Sequence, residues 1–78
     1  MDILSKLDFV VLIMQNSING SNIMELMNIH PSYDIVKKYL DALQENDLIK
    51  YYTEEKIFLT TSKGLVFLYI YNDLVEML

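Results

Sequence analysis

The hydrophobic pattern of this 78-residue chain leaves its helical period at Glu45-Asn46-Asp47, and that change restricts its fold more than any other feature. Before it, apolar residues recur at helical spacing. After it come Leu48-Ile49-Lys50-Tyr51-Tyr52 and Lys56-Ile57-Phe58-Leu59-Thr60, two β-prone runs separated by the polar Thr53-Glu54-Glu55. Two short runs with a polar connection predict a β-hairpin.

Residues 3 to 18 place Ile3, Leu7, Val10, Val11, Met14 and Ile18 at spacings of three, four and seven, the mark of one helix face. Phe9, Leu12 and Ile13 fill the other sides. The run Phe9 to Met14 alone also suits a strand, but the length of the periodic pattern favours helix. A helix apolar nearly all round is either buried centrally or covered by a second subunit. Asn19-Gly20-Ser21-Asn22 is a turn cluster in which Ser21 or Gly20 caps a short helix through Ile23, Met24, Leu26 and Met27. Pro31 cannot continue that helix and biases His30 toward extended geometry, so 28 to 31 reads as a tight connection between two helices. Ser32 is an N-cap for a third helix, 32–46, carrying Val36, Tyr39, Leu40 and Leu43, with Asp34 in the first turn where the helix dipole favours a negative charge. Thr61 or Ser62 caps a last helix to Leu78 with a core stripe of Phe67, Leu68, Tyr71, Leu74, Val75 and Leu78. One mainly α domain, residues 1–78, is expected, in the order helix, helix, helix, strand, strand, helix.

A domain this small buries only about 60% of its unfolded surface. The chain is nevertheless 53% hydrophobic, with five Met, six Tyr and three Phe, more than one small core absorbs. Leu65, Val66, Tyr69, Ile70 and Met77 lie off the stripe of the last helix, and Phe9, Leu12 and Ile13 off that of the first. These eight are the expected contact surface of a homodimer. The absence of Cys removes disulfides and thiolate metal sites. Neither apolar run, Phe9–Met14 nor Leu65–Tyr71, reaches the roughly 18 to 20 residues of a membrane span, and Met1-Asp2 lacks the basic start of a secretory signal. A cytoplasmic protein that does not bind membranes is expected.

The stretch SYDIVKKYLDALQENDLIKYY followed by FLTTSKGLVFL resembles the archaeal winged helix-turn-helix regulators. The match lies in Ser32, Tyr33, Lys37, Lys38, Tyr39, Leu40, Leu43, Leu48, Ile49, Thr61, Lys63, Gly64, Phe67 and Leu68, over roughly the C-terminal two-thirds of the chain. The resemblance implies a transcription-regulator-like fold, often dimeric through its first and last helices, with the third helix in the major groove and the wing against backbone or minor groove. Departures from the pattern are Asp34 and Ile35 on the third helix, Asp47 at the usual turn glycine, Thr60 at the Leu of the "LT" pair, and Leu65 and Val66 after Gly64.

Charge bears directly on that expectation. Six Lys, no Arg and eleven acids give a net charge of −5, whereas nucleic-acid binders draw much of their affinity from neutralising phosphates. Lys37 and Lys38 on the third helix, with Lys50 and Lys56 on the wing, are the candidate phosphate contacts, and Lys63 starts the last helix. Local clustering offsets a negative total because physiological salt limits each charge to about 8 Å. Against this, the same lysines serve as solubilising charges balanced by Asp34, Asp41, Glu54 and Glu55. Ser32 and Tyr33 are candidate phosphate or base contacts at the front of the third helix, Ser32 acting as helix cap and Tyr33 as packing residue in the plainer reading.

No catalytic constellation is present. His30 stands without Cys or a second His, so a turn histidine is expected and no metal site. Glu54-Glu55 reads as a solvated loop tip, and two glycines build no phosphate loop. The expected function is therefore a homodimeric protein that binds double-stranded DNA, a small transcriptional regulator with no enzyme activity and no cofactor. The alternative keeps the fold and changes the partner: a protein-binding module that docks a polymerase or regulator through an acidic and apolar face.

Overall fold

The computed structural model describes residues 3–78, with side chains from Ser5 onward. Helix α1 spans Ile3–Asn16, α2 Ile23–Leu26, α3 Tyr33–Glu45 and α4 Ser62–Met77, and strands β1 Ile49–Tyr52 and β2 Ile57–Thr60 stand between α3 and α4. The strands pair antiparallel, Ile49 opposite Thr60 and Tyr52 opposite Ile57. The turn after α1 adds one more rung. Ser21 N–H donates to the Phe58 carbonyl at 2.9 Å, and Phe58 N–H donates to the Ser21 carbonyl at 2.8 Å.

That rung explains why Ser21 does not cap α2. Its backbone belongs to the sheet and its hydroxyl donates to the Asn16 carbonyl, while Gly20 supplies a left-handed turn residue at φ +91°. Asn22 caps instead. Its Oδ1 accepts Glu25 N–H at 2.8 Å and Glu25 Oε1 accepts Asn22 N–H at 3.0 Å, the reciprocal capping box that satisfies two otherwise orphaned donors.

Helix α3 begins as its sequence predicts, with Ser32 Oγ accepting Ile35 N–H at 3.4 Å and Val36, Leu40 and Leu43 buried. It ends in a Schellman arrangement: Leu48 N–H donates to the Leu43 carbonyl at 2.9 Å and Asp47 N–H to the Gln44 carbonyl at 3.1 Å. Asp47 takes the left-handed position at φ +61°, where glycine is unstrained. The start of α4 is fastened to this corner. The Thr61 hydroxyl donates to the Asp47 carbonyl at 2.6 Å and accepts Gly64 N–H at 3.0 Å, and Lys63 Nζ donates to the Asn46 carbonyl at 2.9 Å.

The core corrects the expected orientation of α1. Ile13 and Met14 are fully buried and Phe9 nearly so, whereas Ile18, placed on the expected core stripe, is 42% exposed. Phe9 and Ile13 are therefore interior to the chain and unavailable to the expected dimer contact. Their partners fix the rotation: the Phe9 ring lies 4.8 Å from that of Tyr39 and edge-on to His30 at 5.8 Å, and Thr60 Oγ1 donates to the Met14 carbonyl at 2.6 Å. Of the outward residues named on α1, Leu12 alone stays at the surface, at 42% exposure. Ile3 lies outside the residues whose side chains are described.

The last helix corrects the expectation in the opposite direction. Leu68 is buried and Phe67 and Tyr71 are half-buried, but Leu74, Val75 and Leu78, assigned to the core stripe, are exposed. Every residue from Asn72 to Leu78 is exposed, on all sides of the helix. At about 1.5 Å per residue, the final two turns of α4 project roughly 10 Å past the body that covers its first half.

Candidate nucleic-acid interface

Helix α3 enters its interface through the turn at 28–32. His30 Nδ1 accepts Ser32 N–H at 3.0 Å, so the imidazole holds the residue that caps the helix. Tyr33 follows as the first helical residue and is 52% exposed. Ser32 uses its hydroxyl lone pair on Ile35 N–H, which leaves its O–H as the group to offer a phosphate.

Tyr33, Lys37, Leu40, Asp41 and Gln44 recur at spacings of three and four, so they share one side of α3. That side, with α2 and the wing, bounds a groove of about 590 Å³ whose wing wall carries Tyr51, Glu55, Lys56 and Phe58. Of the predicted contact residues the fold thus gathers Tyr33, Lys37 and Lys56. Lys38 is one residue round the helix from Lys37, about 100° away, and Lys50 lines an adjoining depression of about 330 Å³ at the wing tip with Tyr52, Thr53 and Glu54, which shares Tyr51 and Glu55 with the groove. Neither lines the main groove.

The lysines differ in how committed they are. Lys37 Nζ sits 2.9 Å from Asp41 Oδ2, and this hydrogen bond, with the attraction of the carboxylate, holds the ammonium above the ordinary lysine range. Lys50 Nζ lies 5.2 Å from the centre of the Tyr52 ring, a cation–π contact. Lys63 is spent on the Asn46 carbonyl. Lys38 and Lys56 form no ion pair among the described residues. Lys56 also adopts φ +57°, a backbone position at which glycine or asparagine is the low-strain choice.

Inside the groove the charges cancel, Lys37 and Lys56 against Asp41 and Glu55. Sequence reading missed the aromatic and apolar part of this site. Tyr51, Met24 and Ile57 line it with an apolar floor of Leu40 and Phe58, and Tyr51 packs on Phe58 at 4.6 Å between ring centres. The signal available was the exposed side of a short β-run, since the β1 pattern leaves Lys50, Tyr51 and Tyr52 outward. Among the described residues no group of His, Asp and Glu gathers to hold a metal, and no helix is long and apolar enough to cross a membrane.

Three helices, a two-stranded wing and a closing helix, with α3 presented beside the wing, define a winged helix-turn-helix protein. The chain matches the winged helix-turn-helix family over residues 1–78 and belongs to it. No curated protein and no solved structure matches it.

Proposed function

We propose that this chain is a cytoplasmic homodimeric DNA-binding protein, a small transcriptional regulator that docks α3 and the wing on duplex DNA and catalyses no reaction. The observation that carries this reading is the placement of Ser32, Tyr33, Lys37 and Lys38 at the exposed front of α3 beside a wing bearing Lys50 and Lys56, within a winged helix-turn-helix family member. Duplex contact of this kind draws on phosphate neutralisation, and its salt dependence counts the lysines engaged. Lys38, Lys50 and Lys56 from two protomers give a slope of about −5 in log affinity against log salt, and engagement of Lys37 as well raises it to about −7.

The homodimer rests on α4. Leu65, Val66, Tyr69, Ile70 and Met77 are all exposed, as predicted, and Leu74, Val75 and Leu78 add to the same helix. These side chains lie around most of the circumference of α4, so a partner that buries any one side of the helix covers several of them. An apolar helix end left exposed among the described residues is an aggregation hazard unless a second copy buries it.

A gel shift of duplex DNA titrated against salt tests the reading, with Lys38→Ala and Lys37→Ala as variants. Affinity falls steeply with salt, and Lys38→Ala flattens the slope by about 2 for a dimer, more than Lys37→Ala, whose lysine already has Asp41 as counterion. A salt-independent shift, or none at all with the dimer intact, refutes duplex binding and transfers the function to the protein-docking alternative.

A further inference from the structure

The groove between α3 and the wing is poorly matched to phosphate and well matched to something else. Its charges sum to zero, its floor is Leu40 and Phe58, and two exposed tyrosines, Tyr33 and Tyr51, stand on its walls. A volume of about 590 Å³ lies within the range of sites that hold small organic groups. Gln44 and the tyrosine hydroxyls add hydrogen-bonding groups at its edge. A neutral, flat ring with apolar faces and polar edges satisfies all of these features, and an anionic group satisfies none of them beyond Lys56.

We infer that this groove takes an unstacked nucleobase, stacked on the tyrosine rings that line it. The inference rests on nucleic acid being the ligand class proposed above and specifies which part of it the groove holds. Stacking on aromatic side chains is worth enough to matter and tolerates any base, because every base has a π face. It also needs little positive charge, which suits a chain with six lysines and no arginine. Lys56 then flanks the ring where a strand backbone leaves the groove, a use for a side chain held at a glycine-like backbone position. Tyr51 packs on Phe58 with its ring tilted by 44°, so the buried ring restricts the orientation of the exposed one.

The base has two sources, a free nucleoside or a single strand, and the test separates them. Thymidine and a short oligothymidylate are titrated into the intact protein while the tyrosine ring resonances are followed by NMR. Duplex affinity is measured in parallel. Shifts at Tyr33 and Tyr51 with both ligands assign recognition to the ring alone, and shifts with the oligonucleotide only assign it to a strand-borne base; either upholds the inference. Tyr51→Leu weakens binding roughly ten- to hundredfold and Tyr51→Phe retains it. Tyr33→Leu, at a half-exposed helix start, provides a second variant in case the wing does not tolerate the first. Shifts with neither ligand, or Tyr33→Leu and Tyr51→Leu proteins that fold and bind like the wild type, overturn the inference. Steep salt-dependent duplex binding surviving that outcome leaves the duplex reading standing, and groove binding without duplex binding removes only the latter.

Discussion

Replacing Ile70 by Glu separates the role in assembly proposed for α4 from its role in the fold. Ile70 is 52% exposed in the single protomer, so about half its side chain packs within the chain and half remains for a partner. Full burial of an isoleucine is worth about 1.5–3 kcal/mol, which assigns roughly 1–1.5 kcal/mol to the exposed half. Two-fold symmetry counts the residue twice. The dimer therefore loses about 2–3 kcal/mol from apolar burial, a roughly 30- to 140-fold weaker association, before the cost of bringing two carboxylates into an apolar seam. The fold itself loses less, because a glutamate on a projecting helix keeps its head in water. Sedimentation equilibrium across a micromolar concentration series reads the change, with Thr53→Glu at the wing tip as a control of equal charge. Wild-type protein that sediments as a stable monomer at those concentrations, or an Ile70→Glu variant that dimerises as well as Thr53→Glu, refutes the reasoning.

Two further outcomes follow from contacts within the protomer. A Cβ at Gly64 falls 2.4 Å from the Leu48 carbonyl oxygen and 2.6 Å from Thr60 Cγ2, so Gly64→Ala displaces α4 from the wing. The overpacking exceeds the gain in helix propensity and lowers Tm by roughly 5–15 °C in a thermal melt, and an unchanged Tm contradicts the packing described. Tyr71 Oη donates to Asp8 Oδ1 at 2.9 Å, and that hydrogen bond, helped by burial and the carboxylate charge, holds the phenol above the usual tyrosine value. A raised value means the fold favours neutral Tyr71. The stabilisation is therefore fully present below pH about 10 and is lost as pH rises through the higher folded value. Asp8→Ala returns one of the six tyrosines to ordinary ultraviolet titration; superimposable wild-type and variant curves contradict the contact.

The order of elements was legible in the sequence because the change of period at Glu45-Asn46-Asp47 is local, and so are the caps at Ser32 and Thr61. What was hidden depended on residues distant in the chain. Helix α1 is apolar on nearly every side, so periodicity leaves its rotation open, and Phe9 turns inward because Tyr39 and His30 meet it there. Ser21 looks as good a cap as Asn22 until Phe58 claims its backbone. The stripe on α4 continues through Leu74, Val75 and Leu78 with unbroken spacing, but spacing carries no information about where the covering body stops. Of the lysines named from the sequence, Lys37 and Lys56 line the groove, while the groove itself was not foreseen, because it exists only where α2, α3 and the wing converge.

That convergence changes how a net charge of −5 bears on nucleic-acid binding. At physiological salt a charge acts over about 8 Å, so the total matters less than the local set. The local set is not basic: Lys37 and Lys56 are cancelled by Asp41 and Glu55, Lys63 is occupied, Lys50 stands beside Glu54 at the wing tip, and Lys38 lies outside the groove. On the proposed reading, phosphates are met outside the groove and a neutral surface at its centre. A duplex lying across the rim engages the outer lysines and loses affinity with salt, whereas an unpaired base in the groove engages tyrosine and loses little. The two modes differ in the sign of the evidence they leave, since Lys38→Ala acts on the first and Tyr51→Leu on the second. A chain that showed both would hold DNA most firmly where a duplex opens, because only there are a backbone for the rim and a free ring for the groove available together.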